Sequence, residues 1–296
     1  MDRVNLSSSL EFSRIIYGMW RLADDANTSI KHIDAKINSC LDQGITTFDQ
    51  AAVYGLYTSE SLFGQTLKAN PSLRNEMEIV TKCGIVVPSN KYPNIQIAHY
   101  DTSREHITAS VDASLTNMST DYIDLLLVHR PDPFMDHRET GSALDDIVSS
   151  GKVRAVGVSN FKPWDWNLLQ SVMKTQLVTN QIELSLAFHE PFTNGDLAFH
   201  QQNSTHVMAW SPLGGGSLMK NTGELGLVMD KVAAHHNVDR AAVAVAWILA
   251  HPANIIPVMG TNNLDRITKI SDAIKVKMDR DTWFLLYTAA LGRDIP

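Results

Sequence analysis

Residues Ile123-Asp124-Leu125-Leu126-Leu127-Val128 form an apolar run broken by one acid, and His129 follows directly. A half-buried strand alternates apolar and polar side chains. An unbroken run belongs instead to a parallel strand covered on both faces. Seven further short runs repeat the pattern: Arg14 to Tyr17, Ile45 to Phe48, Glu78 to Thr81, Ala155 to Val158, Val178 to Ile182, Val207 to Trp210 and Ile255 to Val258. Amphipathic stretches separate them and read as helices: Ser29 to Gln43, Thr58 to Ala69, Ser103 to Asn117, Met135 to Ser150, Pro163 to Met173, Gly223 to His236 and Leu264 to Ala273. Repeated strand–helix units predict an α/β fold, an eight-stranded (β/α)8 TIM barrel. Asp239 to Ala250 and Arg280 to Leu291 read as additional helices, and Val4 to Leu6 with Glu11 to Ser13 as a small N-terminal hairpin. Ser29 and Ser103 suit helix starts, Pro163 a first helical turn, and Gly44 and Gly151 left-handed helix ends. No linker or repeat divides the chain, so residues 1–296 are expected to form one domain.

Composition narrows the function classes. A net charge of −7 speaks against nucleic acid or an anionic membrane as partner. The two cysteines, Cys40 and Cys83, lack metal-ligand spacing and point to a reducing, cytoplasmic setting. No stretch is long and apolar enough to span a membrane.

Polar residues collect at the expected strand ends: Asp49, Lys82, His129, Ser159 with Asn160, and Gln181, which lies within its strand. In a (β/α)8 barrel these ends converge on one face, and Tyr54, five residues beyond Asp49, would project there from a loop. Asp49, Tyr54, Lys82 and His129 together describe a proton-transfer site. A neighbouring ammonium favours a phenolate and lowers the phenol pKa, a carboxylate holds that ammonium protonated, and a histidine can donate to a substrate oxygen. Taken singly, Asp49 reads as a turn cap, Lys82 as a solvated strand end, His129 as a core histidine and Tyr54 as loop packing. Four suitable groups at three strand ends and one loop favour the chemical reading. The other histidines, His99, His106, His189, His200, His235 and His236, lack ligand spacing and are expected mostly on the solvated surface.

These residues resemble the aldo-keto reductase superfamily, most closely its bacterial members of unassigned substrate. Further matches are Gly18-Met19-Trp20, Gly157 to Phe161, Asn180-Gln181 and Trp210-Ser211-Pro212-Leu213-Gly214-Gly215-Gly216, so the resemblance runs from Arg14 to Ile270. It implies an enzyme that reduces aldehyde or ketone carbonyls by hydride transfer from a nicotinamide cofactor, without metal. Tyr54 would be the general acid, Lys82 and Asp49 would tune it, and His129 would orient the substrate carbonyl beside Trp20. The resemblance further implies that Ser159, Asn160 and Gln181 bind the carboxamide and Trp210 stacks on the nicotinamide ring. Ser211, Pro212, Leu213, Gly214 and Gly216 would line the pyrophosphate, with Gly18, Met19, Trp20 and Asp49 also at the cofactor. At the adenine end, members that take the 2′-phosphate commonly carry Lys-Ser, then Arg five residues on, then Glu-Asn. Here Gly260-Thr261, Arg266 and Lys269-Ile270 occupy those places. Arg266 makes NADP(H) the expected cofactor, with NAD(H) as the alternative.

Two rival readings belong to other classes. One is a dinucleotide-binding regulatory subunit, for which a complete acid set is superfluous. The other is a metal-dependent barrel hydrolase using His129 and Asp49, which Lys82 beside them would oppose.

Overall fold

The computed structural model describes residues 1–295. In chain order the strands are β1 (Arg3–Ser7), β2 (Leu10–Ser13), β3 (Ile16–Gly18), β4 (Thr47–Asp49), β5 (Glu78–Cys83), β6 (Ile85–Val86), β7 (His99–Tyr100), β8 (Ile123–Val128), β9 (Val153–Ser159), β10 (Leu177–Glu183), β11 (His206–Trp210) and β12 (Ile256–Met259). The helices are α1 (Ile30–Leu41), α2 (Ser59–Ala69), α3 (Arg104–Met118), α4 (His137–Ser149), α5 (Pro163–Gln170), α6 (Asp196–Gln202), α7 (Glu224–His236), α8 (Arg240–Leu249), α9 (Leu264–Ile267) and α10 (Arg280–Leu291).

Eight parallel strands close in the order β3-β4-β5-β8-β9-β10-β11-β12, and the ring seals where β12 pairs with β3, Val258 opposite Ile16 and Met259 opposite Tyr17. All eight expected barrel strands are present, and β8 coincides with the predicted run. Ser103 caps α3 through the His106 amide, and Gly44 and Gly151 adopt φ of +75° and +78° at their helix ends. Ser29 precedes α1 without capping it through its side chain. The region predicted as one helix over Leu264 to Ala273 splits into α9 and a separate 3-10 segment, Ile270–Lys275.

Alternation along each strand sorts the barrel interior into levels. Ile16, Val80, Leu127, Met208 and Val258 point inward as an apolar layer. Two residues further on, the same faces carry Gly18, Lys82, His129, Trp210 and Gly260. The chemistry therefore sits one level above a closed apolar floor. In β10 the pairing register shifts between Leu177 and Asn180. That irregularity lets Val178 join the interior and still turns Gln181 inward. Asn180 faces outward, bonding the Phe161 carbonyl and His200.

The hairpin of β1 and β2 is antiparallel, and its Val4, Leu10 and Phe12 pack against the interior layer as a bottom plug. A second apolar shell lies between barrel and helices. Trp247 and Trp283 in this shell stack at 4.9 Å, and each indole N–H donates to the other residue's carbonyl. This pairing docks α10 against α8. Among the described residues no helix is long and apolar enough to cross a membrane.

Candidate active site

The carboxyl ends of the strands open into a cleft of about 1020 Å³. At its base Lys82, fully buried on β5, donates to Asp49 Oδ2 at 2.6 Å, to the Gln50 carbonyl at 2.8 Å and to Tyr54 Oη at 3.0 Å. Asp49, on the neighbouring β4, takes a further bond on Oδ1 from Gln181 Nε2 at 2.9 Å. The Tyr54 ring stands edge-on to His129, with centroids 5.9 Å apart. Lys82 thus joins Asp49 and Tyr54 directly, and the His129 ring lies against the Tyr54 ring.

Electrostatics revise one expectation. Burial pushes the Tyr54 hydroxyl above the ordinary phenol range, and the pull of Lys82 opposes this without reversing it. The charge alone predicts a lowered phenol pKa; the dry surroundings outweigh it. Burial also works against the charge on Lys82, but Asp49 and Tyr54 beside it more than compensate and hold its pKa above the lysine norm. His129 is held well below the imidazole range by burial and by the nearby Lys82 and Arg130 charges. It is a neutral ring at neutral pH.

Along the cleft, a second polar group joins β9, β10 and β11. Ser159 Oγ donates to the Gln181 carbonyl at 2.8 Å, and Asn160 Nδ2 donates to Ser159 Oγ at 2.8 Å and to the His129 carbonyl at 3.3 Å. Asn160 Oδ1 accepts from Trp210 Nε1 at 3.0 Å. Asn160 and Ser211 hold left-handed backbone, φ 62° and 53°, just beyond their strands. Such conformations cost energy in residues with side chains and gather at binding sites. Ser211, Pro212, Leu213 and Gly216 line the same cleft together with Gly260, Thr261 and Arg266.

Two expected cofactor residues do not line it. Met19 is 1% exposed and faces the core, where its sulfur accepts from Gln50 Nε2 at 3.2 Å. Gly214 is turned toward Ala187 and Ser217. Trp20 does line the cleft and is exposed. His200, expected in solvent, is buried between Asn180 and Thr205.

Arg130 was not singled out from the sequence as a site residue. It is half-buried in the cleft, its guanidinium 5.8 Å from the Trp210 ring centre, with no hydrogen bond or ion pair to another described residue. Its place immediately after His129 at a strand end was the available signal. Among the described residues no group of three or more His, Cys, Asp or Glu is arranged to hold a metal. Asp49, a ligand in the hydrolase reading, is bonded instead to Lys82 and Gln181.

The aldo/keto reductase family model matches residues 14–286. A 6-dehydroglucose reductase of Agrobacterium fabrum is 57% identical over 296 residues, covering 100% of both chains. An uncharacterized oxidoreductase of Bacillus subtilis is 45% identical over 301 residues, again with 100% coverage of both. Among solved structures, a glycerol dehydrogenase from Gluconobacter oxydans superposes with a TM-score of 0.86 at 21% identity, covering 100% of this chain and 98% of that one, a likeness of fold.

Proposed function

Because the chain belongs to the aldo/keto reductase family and is thus an oxidoreductase, we propose that it is an NADP(H)-dependent reductase of sugar aldehydes in which Tyr54 delivers the proton. One observation carries the assignment of the acid. An ammonium has three hydrogens, and Lys82 spends them on Asp49, Gln50 and Tyr54. Tyr54 is therefore an acceptor toward Lys82, and its own hydrogen is free for a substrate oxygen in the cleft.

The residues fit a nicotinamide dinucleotide. Gln181 commits its amide to Asp49, while its Oε1 has no partner among the described residues and suits a carboxamide N–H. Around Gly215 and Gly216 the space is open, so a diphosphate can approach the backbone closely. Exposed Arg266 at the far end offers a planar fork to a 2′-phosphate. Ser159, Asn160 and Gln181 would hold the carboxamide, Trp210 the ring, and Thr261 with Arg266 the adenosine end. When bound, the cofactor supplies hydride to the carbonyl carbon.

As negative charge builds on the carbonyl oxygen, Tyr54 gives up its proton there, and the fixed Lys82 ammonium stabilises the phenolate left behind. Neutral His129 donates one hydrogen bond that orients the oxygen. Donors set in place before the reaction favour the transition state over the ground state. Asp49 holds Lys82 charged and in line.

The name of the relative in Agrobacterium suggests the substrate class, glucose whose carbon-6 hydroxymethyl group is oxidised to an aldehyde. Arg130, without a hydrogen bond or ion pair among the described residues, and Arg21 and Asp24 at the rim offer hydrogen bonds to a polyol. NADPH oxidation followed at 340 nm with a panel of sugar aldehydes and simple aldehydes tests this reading. Turnover is expected with NADPH and the hexose aldehyde, and to fall about 10²–10⁴-fold in Tyr54→Phe. Undiminished turnover in that variant would refute the role of Tyr54, and no NADPH oxidation with any carbonyl would refute the reductase.

A further inference from the structure

Lys36 on α1 is fully buried, and a buried ammonium is costly unless it is paired and hydrogen-bonded. It pairs with Asp25 in the loop after β3 and donates to Asn262 Oδ1 at 3.1 Å in the loop after β12. Asn262 Nδ2 in turn donates to the Arg21 carbonyl. His32 approaches Asp25 at 3.3 Å. One residue further back, Tyr17 Oη donates to the Thr261 carbonyl at 2.7 Å.

These bonds continue a pairing that the backbone abandons. The β12–β3 ladder has only two residue pairs and stops at Met259. Beyond it, the two loops flanking the cleft are tied by side chains alone. The 260–263 loop leads directly into α9 through the Asn263 cap on the Arg266 amide, at 3.0 Å. Thr261 and Arg266, which line the cleft, therefore flank a residue, Asn262, that is held by a group outside the cleft lining.

We propose that Lys36 is a positioning residue for the dinucleotide, acting through Asp25 and Asn262 to set the segment 260–266 against the adenosine 2′-phosphate. This rests on the dinucleotide reading above. A site held by a rigid supporting shell binds without having to order its loops on contact. Lys36 and Asp25 do not line the cleft, so their removal takes away no direct contact.

The test is calorimetric titration of the purified protein with 2′,5′-ADP, which probes the adenosine end without the nicotinamide, alongside NADPH and NADH. In Lys36→Met paired with Asp25→Asn, which avoids a lone buried charge, affinity for 2′,5′-ADP should fall about tenfold, the scale of losing an outer-shell support. NADPH should lose more affinity than NADH. The KM for NADPH should rise without a fall in kcat, and amide hydrogen exchange should quicken at 260–266 but not in β5 or β8. Should the double variant fail to fold, Lys36→Met alone, which leaves Asp25 partly exposed and beside His32, carries the same expectation. Variants that bind 2′,5′-ADP as tightly as the parent would overturn the positioning role and leave the dinucleotide reading standing. A parent chain that binds neither 2′,5′-ADP nor NADPH would overturn both.

Discussion

Lys82 contributes to Tyr54 in two ways: it fills the phenol's acceptor site, and its charge opposes the effect of burial. In Lys82→Met the first effect vanishes along with the second. Carbonyl reduction should fall, and the pH at which the reverse reaction, alcohol oxidation, reaches half its maximum should move upward, because that direction requires the phenolate. In the parent enzyme the sign runs the other way for the forward reaction. The raised phenol stays protonated through neutrality, so reduction should hold level and decline only in strong alkali. His129, already neutral, should add no inflection near pH 6 to 7. A pH–rate profile in both directions checks each point. That Asp49, Tyr54, Lys82 and His129 gather at one mouth of the barrel was legible in the sequence, because the strand ends and the loops that follow them converge there. The direction of the phenol pKa was not, since it turns on how much water the folded cleft admits. Arg130 escaped for a related reason, because a partnerless guanidinium is a property of its surroundings.

Among the elements, the eight barrel strands were legible from their apolar runs, whereas α6 and the β6–β7 hairpin were not. Helix α6 has only seven residues and β6 and β7 two each, too short for a period to show. His200 on α6 reads as polar in sequence, but tertiary packing places it at 2% exposure. Burial holds its pKa at about 4, against 6.5 when unfolded. As pH falls below 6.5 the unfolded chain gains a proton that the native chain refuses, so stability drops. The loss approaches about 3 kcal/mol by pH 4, and urea denaturation at pH 7 and pH 4.5 should register most of it, with His200→Gln losing the His200 component of that slope. Where α2 meets α3, Gly64 is pressed so closely that an added methyl would stand 1.9 Å from the Asn117 carbonyl oxygen. Gly64→Ala should therefore cost about 3 kcal/mol or more, measured as a lowered Tm.

Over the whole molecule, closing the sheet on itself leaves the barrel interior dependent on its plug. Phe12 is fully buried against the apolar layer beneath the site. Phe12→Ala should destabilise by about 3–5 kcal/mol while substrate KM stays near the parent value, since the floor lies below the cleft; melting curves and steady-state kinetics distinguish the two. The plug was legible as a hairpin from Val4 to Ser13, but not its docking under the barrel, because nothing in a ten-residue stretch names the distant strands it will meet. That docking also fixes a timetable. The stopper is synthesised well before the strand that completes the hole it fills, which does not exist until Ile256–Met259 emerges and zips to Ile16–Gly18. Until then Phe12 and Leu10 have no finished cavity to enter, and the growing polypeptide carries a greasy segment that chaperones can grip.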